Sequence, residues 1–241
     1  MTVFAQASRF IMDLGMNRGD NTAYYLARGY EAVAVEANPE LAAGARTRFA
    51  KEIAAHRFTL VEAAVWEKSG TVTFHVNDAN DHWSSVEVGL ATRANSPTHA
   101  LEVAGLTLGD LFEKYGTPLY LKVGVEGVDL TVLKQLQSQV IKPLYVSVED
   151  CPFGLACIEA LADAGYDGFK IVDLSHVTDM HDPHLDHHFP AGSTGPVSDS
   201  LPGRWMGQAA FEQLYTSTVR DRTGRFLAPA GREFHLHATK L

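Results

Sequence analysis

From residue 9 to about residue 173 the chain alternates short runs rich in Ile, Val, Phe and Tyr with longer segments whose apolar residues recur every three or four positions. That rhythm predicts an α/β fold, a mostly parallel sheet with helices on both faces, because each parallel pair needs a crossover to return the chain. Residues 9–14, 32–36, 58–65, 119–123, 144–148 and 169–172 read as six strands of one direction. Asp20, Asn21 and Thr22 offer capping chemistry for a helix that closes at Gly29; Asn38, Pro39 and Glu40 open another that runs to about residue 55. Thr107 caps a helix with Leu108, Leu111, Phe112 and Tyr115 on one face, ended by Gly116.

Further helical patterns cover 130–136, 155–164 and 207–218. After the Ser69-Gly70 turn, residues 71–76 alternate as a hairpin or edge strand, and an irregular polar loop follows. Residues 233–239 alternate as a last, antiparallel strand at the sheet edge, with His235 and His237 on its wetter side. One domain over 1–241 is expected, carrying a His-, Asp-, Gly- and Pro-rich excursion or lid at about 175–205.

Charge narrows the partners. A net charge of −9, with no run of Lys and Arg, argues against nucleic acid. No apolar stretch reaches membrane-spanning length and the amino terminus shows no basic leader, so a cytoplasmic protein with no membrane partner is expected. The two cysteines, Cys151 and Cys157, read as reduced packing residues.

The candidate chemistry lies at the first strand-to-helix turn, Asp13-Leu14-Gly15-Met16-Asn17-Arg18-Gly19. Open α/β sheets bind nucleotides at such turns, and Gly15 and Gly19 allow a ligand to lie against the main chain. Glu36 ends the next strand, where a carboxylate can accept from two ribose hydroxyls. A G-x-G-x-x-G pattern for a nicotinamide cofactor is missing, and Asp13 suits a cationic sulfonium ligand better than a pyrophosphate.

Three segments carry a family resemblance: the turn just described, Val35-Glu36-Ala37-Asn38-Pro39-Glu40, and Leu121-Lys122-Val123-Gly124-Val125-Glu126-Gly127. With Ser84-Ser85 and Gly192-Ser193-Thr194-Gly195-Pro196 they resemble the FkbM-type methyltransferases over nearly the whole chain. The resemblance implies a Rossmann-like class I methyltransferase fold, S-adenosylmethionine as cofactor, and methylation of a hydroxyl on a small acceptor such as a sugar or secondary metabolite. It implies that Asp13, Gly15, Asn17 and Gly19 surround the methionine part, Glu36 the ribose, and Ala37, Ala63 and Ala64 the adenine, with Asn38 nearby. Gly124 departs from the family's Lys-x-Asp-x-Glu-Gly pattern.

A neutral hydroxyl acceptor benefits from a base, and the candidates are Glu126 first, then Lys122, His82 and Glu149. Five histidines and three aspartates fall between His176 and His188, but Pro183 and Pro190 interrupt regular structure and no ligand spacing is diagnostic, so a solvated loop without metal is expected. Two other readings stand beside methyl transfer: a cofactor-binding protein of the same fold without catalysis, and an NAD-dependent oxidoreductase.

Overall fold

The computed structural model describes residues 3–5 and 8–241, so the expectation about the amino-terminal leader falls partly outside the described residues. In chain order the elements that position the site are β1 (Phe10–Leu14), α1 (Asp20–Ala27), β2 (Glu31–Glu36), α2 (Pro39–Arg48), α3 (Ala50–Ala54) and β3 (Phe58–Glu62). Then come β4 (Gly70–Asn77), β5 (Thr98–Leu106), α4 (Leu108–Tyr115), β6 (Tyr120–Val123) and α5 (Asp129–Gln135). The chain ends with β7 (Tyr145–Glu149), α6 (Gly154–Asp163), β8 (Gly168–Asp173), α7 (Gln208–Thr218) and β9 (Phe234–Thr239).

The central sheet has seven strands in the order β3-β2-β1-β6-β7-β9-β8. The first five pair in parallel, and β9 pairs antiparallel with both β7 and β8, so six strands share one direction and the last opposes them. Chain order reverses between β1 and β6, which puts a crevice at the carboxyl ends of β1, β2 and β6. Alternation along β1 sends Met12 and Leu14 to a core shared with α4, α5, α6 and α7, and Ile11 to the opposite face beneath Tyr24 and Tyr25 of α1. Leu174, Val177, Phe189, Val197 and Leu201 cover that second face beside α1, so the polar excursion does the work of a helix there.

Several expectations change. The last strand is antiparallel but lies inside the sheet, not at its edge. Strands on either side therefore bury His235 and His237, at 8% and 0% exposure, where a wetter face was expected. The run 58–65 is two pieces: β3 ends at Glu62, the Ala63 amide donates to the Glu36 carbonyl, and Ala64–Val65 crosses to a second, three-stranded sheet with β5 and β4. β5 itself falls in a stretch that sequence reads as irregular loop, because only one of its nine residues is buried and no clear apolar alternation marks it.

Capping also divides. Asn38 caps α2 by accepting from the Glu40 amide at 3.0 Å, and Thr107 and Asp110 form a reciprocal capping box on α4. Helix α1, by contrast, starts from left-handed Gly19 with no side-chain cap; Thr22 and Asn21 are drawn into tertiary hydrogen bonds. The helix from Pro39 pauses at Phe49 before the short α3.

Candidate functional site

A cavity of about 480 Å³ opens at the crevice, a size typical of small-molecule sites. Its floor is the β1 turn. Gly15 adopts φ 73°, its amide donates to the Val35 carbonyl at 3.0 Å, and an added Cβ would fall 1.8 Å from the Gly124 carbonyl oxygen. Only a residue without a side chain lets the β1 and β6 turns meet in this way. Asn17 follows at φ 53°, and its amide donates to Glu36 Oε2 at 2.8 Å, while the Asn38 amide donates to Oε1 at 2.8 Å. Each Glu36 oxygen accepts one of these bonds, and Glu36 lines the cavity. Burial outweighs those amides and lifts the Glu36 carboxyl from 4.5 to about 7.

Ala37, Ala63 and Ala64 line the cavity beside Glu36 and present small apolar surface. Of the other residues that the sequence assigned to the cofactor, three lie behind the wall. Asp13 is fully buried, accepts from the Thr22 hydroxyl at 2.8 Å and ion-pairs with Lys122 at 3.0 Å. Its charge is spent on Lys122, so it does not by itself discriminate between a sulfonium and a pyrophosphate. Gly19 lies against the Phe49 ring, where a Cβ would come within 2.7 Å. Asn38 serves α2 and the Glu36 carboxylate.

On the far side, register fixes the polar groups. Asp13, Lys122, Ser147, His237 and Lys170 stand directly across from one another on five adjacent strands, all on the face away from the main core. Lys122 Nζ donates to the Gly15 carbonyl at 2.8 Å, the Tyr120 and Ser147 hydroxyls are 2.6 Å apart, and His237 Nδ1 lies 2.8 Å from the Ser198 hydroxyl. Sequence alone gives no sign of this buried row, because its members meet only through register between strands far apart in the chain.

One pleat further toward the carboxyl ends, Glu149 faces His235 across β7 and β9, and both line the cavity. Glu149 is open to the cavity yet hemmed by protein; desolvation, with the charges of Glu126 and Asp129, lifts its carboxyl to about 7. Burial, with the Lys122 charge behind it, pushes His235 down to about 3, so its imidazole is neutral, and among the described residues its Nδ1 has no partner. His235 is a lining residue that sequence reasoning placed elsewhere.

Glu126 lines the cavity from a strained turn, with φ 40° followed by φ 95° at Gly127. Asp129 holds that turn by accepting from the Val125 and Gly127 amides at 3.0 and 3.1 Å. The Glu126 carboxylate is already engaged: Arg93 Nη2 lies 2.6 Å away, and the Arg93 guanidinium stacks on Trp83. Ser85 donates to the Glu126 carbonyl at 2.6 Å, so the loop after β4 is stitched to the β6 turn.

The rim closes from two sides. Arg18 reaches Asp81 at 2.9 Å, and His82, exposed over half of its side chain, stands against Gly192 of the excursion. Asn21 Oδ1 accepts from the Ser193 hydroxyl at 3.0 Å and the Thr194 amide at 2.9 Å, anchoring that segment on α1. The cavity therefore gathers Gly15, Asn17, Glu36, Ala37, Ala63, Ala64, His82, Lys122, Glu126 and Glu149. Among the described residues no helix is long and apolar enough to cross a membrane.

Comparison with known proteins places these features in context. A methyltransferase FkbM from Methylobacillus flagellatus KT is 14% identical, with 66% of this chain and 38% of that chain covered and a TM-score of 0.44. A precorrin-6y C5,15-methyltransferase from Geobacter metallireducens GS-15 is 12% identical over 98% of this chain and 82% of its own, with a TM-score of 0.43. A SAM-dependent methyltransferase from Archaeoglobus fulgidus is 10% identical over 98% and 87%, with a TM-score of 0.41. This chain spans 38% of the length of the Methylobacillus protein. No curated protein matches. The family described as the methyltransferase FkbM domain matches residues 13–167, from the buried aspartate of β1 to the turn before β8. That match covers more than half of the chain, and the protein belongs to the methyltransferase FkbM family.

Proposed function

We propose that the chain methylates a hydroxyl oxygen of a small acceptor, such as a sugar or secondary metabolite, with Glu149 as the base. The observation that carries the proposal is the pairing, in one cavity, of a floor suited to a nucleoside with a carboxyl whose pKa is about 7. A base titrating near the working pH combines availability with proton affinity.

S-adenosylmethionine, when bound, supplies the electrophilic methyl group. Glu36 offers its carboxylate to the ribose hydroxyls, and the small side chains of Ala37, Ala63 and Ala64 leave room for a flat base. Gly15 and Asn17 present backbone at the opposite end, where the Arg18–Asp81 ion pair closes the rim. These residues bind and orient; in-line positioning in a water-poor pocket is most of what methyl transfer needs.

Glu149 takes the acceptor's proton. Neutral His235 beside it adds no positive charge that would hold the carboxyl ionised at low pH. Glu126, the first choice from sequence, is tied to Arg93, and that pair suits it to shaping the acceptor wall. Lys122 is held by Asp13 and the Gly15 carbonyl, which suits it to bracing the floor. His82 stands at the mouth, where it can meet the outer part of an acceptor.

The test is transfer of a labelled methyl group to a panel of hydroxylated sugars and polyketide-like alcohols, by the native chain and by Glu149→Gln. Turnover with native protein and its loss in the variant, at unchanged cofactor affinity, supports the proposal. Transfer only to amines or carboxylates refutes the acceptor class, and a variant as active as the native chain refutes Glu149.

A further inference from the structure

We infer that the excursion carries a divalent-metal site of its own, formed by His181, Asp186 and His188, for a first-row transition ion of the zinc type. One ligand atom from each of the three lies within 4.8 Å of the others. The placement follows from backbone structure. His181–Asp182 and His187–His188 are the two arms of a small antiparallel hairpin, and His181 stands directly opposite His188. Side chains in such a cross-strand pair leave the same face, here with stacked rings 4.3 Å apart. Asp186, at φ 50°, turns its carboxylate back so that Oδ1 lies 3.1 Å from His181 Nε2.

Two imidazoles and one carboxylate are a donor set for zinc or another borderline first-row ion; magnesium and calcium prefer oxygen alone. Tetrahedral bonds of about 2.0–2.1 Å require the donors to draw somewhat closer than they now stand. All three side chains are exposed, so rotation between staggered conformers can bring both rings edge-on to a shared ion. Three protein ligands leave the fourth position to water.

The hairpin is not loose. Tyr24 donates to Asp182 at 2.8 Å, Arg28 pairs with the same carboxylate at 3.4 Å, and Tyr24 packs on Phe189, ring centres 4.7 Å apart. From His188 the chain runs through Phe189 to Ala191, Gly192 and Thr194 at the cavity rim. An ion at the hairpin thus fixes the base of the segment that borders the cavity, away from the groups that meet cofactor and acceptor.

The experiment titrates untagged, chelator-stripped full chain with zinc chloride by calorimetry. One saturable equivalent is expected, with magnesium chloride giving no heat of binding. His181→Ala and His188→Ala should each weaken zinc by at least about tenfold, a cost that loss of even an outer-shell partner of a metal ligand typically reaches. The exposed Asp186→Asn variant should also weaken it, and serves if a histidine variant fails to fold. His99→Ala and Cys151→Ser should bind as the native chain does, and zinc should raise the melting temperature of the native chain but not of His181→Ala. Absence of saturable zinc binding, binding indifferent to all three ligand substitutions, or binding lost in Cys151→Ser would overturn the inference.

Discussion

The two halves of the cavity are built on opposite plans. On the side of β1 and β2 nearly every polar group is answered: both Glu36 oxygens accept amides, Asp13 pairs with Lys122, and Lys122 also donates to the Gly15 carbonyl. On the side of β7 and β9, among the described residues, Glu149 makes no hydrogen bond and His235 Nδ1 has no partner, and burial pushes the carboxyl up and the imidazole down. The first half is preorganised to hold a ligand of fixed shape. The second keeps proton-active groups unsatisfied, which is where chemistry that moves a proton belongs.

The sharpest way to break this contrast is Glu149→Gln, which keeps shape and removes the base. Methyl transfer should fall roughly 10²–10⁴-fold. In the native chain the rate should rise with pH through about 7 and level off above it, because the active form is the ionised carboxyl; rate–pH profiles of both proteins check this. Asp13→Ala tests the other half. It leaves Lys122 buried without its counter-charge, and chemical denaturation should report a loss of about 3–5 kcal/mol.

Gly124→Asp sharpens the assignment of the base. A Cβ there would lie 3.2 Å from Lys122 Nζ, so the new carboxylate would join Lys122 and project near the acceptor. If Glu149 is the base, the transfer rate should change by less than about tenfold; a gain of about a hundredfold would move the base to position 124. Stability should also respond to pH. Both Glu36 and Glu149 rise from 4.5 to about 7 on folding, so their protonated forms favour the fold. That contribution is complete below about pH 4.5 and lost as pH climbs through about 7, which denaturation midpoints across this range would show. The smallest effect is expected from Asn38→Ala, about 1 kcal/mol for the lost cap of α2.

The contrast also explains what the sequence could reveal. Gly15 follows β1 and Glu36 ends β2, where local pattern is enough to single them out; Asn17, Ala37, Ala63 and Ala64 were named only by the family resemblance. Asp13 was legible as a residue but not as a role, since its partner Lys122 is 109 positions away and meets it only through register between β1 and β6. His235 was misread for a related reason: local alternation shows that one face of β9 is polar, but not that β7 and β8 flank it and bury that face. The strand β5 escaped because its exposed residues carry no apolar period. Six strands of common direction, the antiparallel last strand and the caps at Asn38 and Thr107 were all readable, because each rests on near neighbours.

The central claim is that the β1–β2 half holds S-adenosylmethionine through Glu36, and calorimetric titration of the native chain and Glu36→Ala, with NAD alongside, tests it most directly. The account predicts saturable binding of the methyl donor, none of NAD, and affinity weaker by about 1–3 kcal/mol in the variant. No binding of the donor, or equal affinity in both proteins, would contradict it.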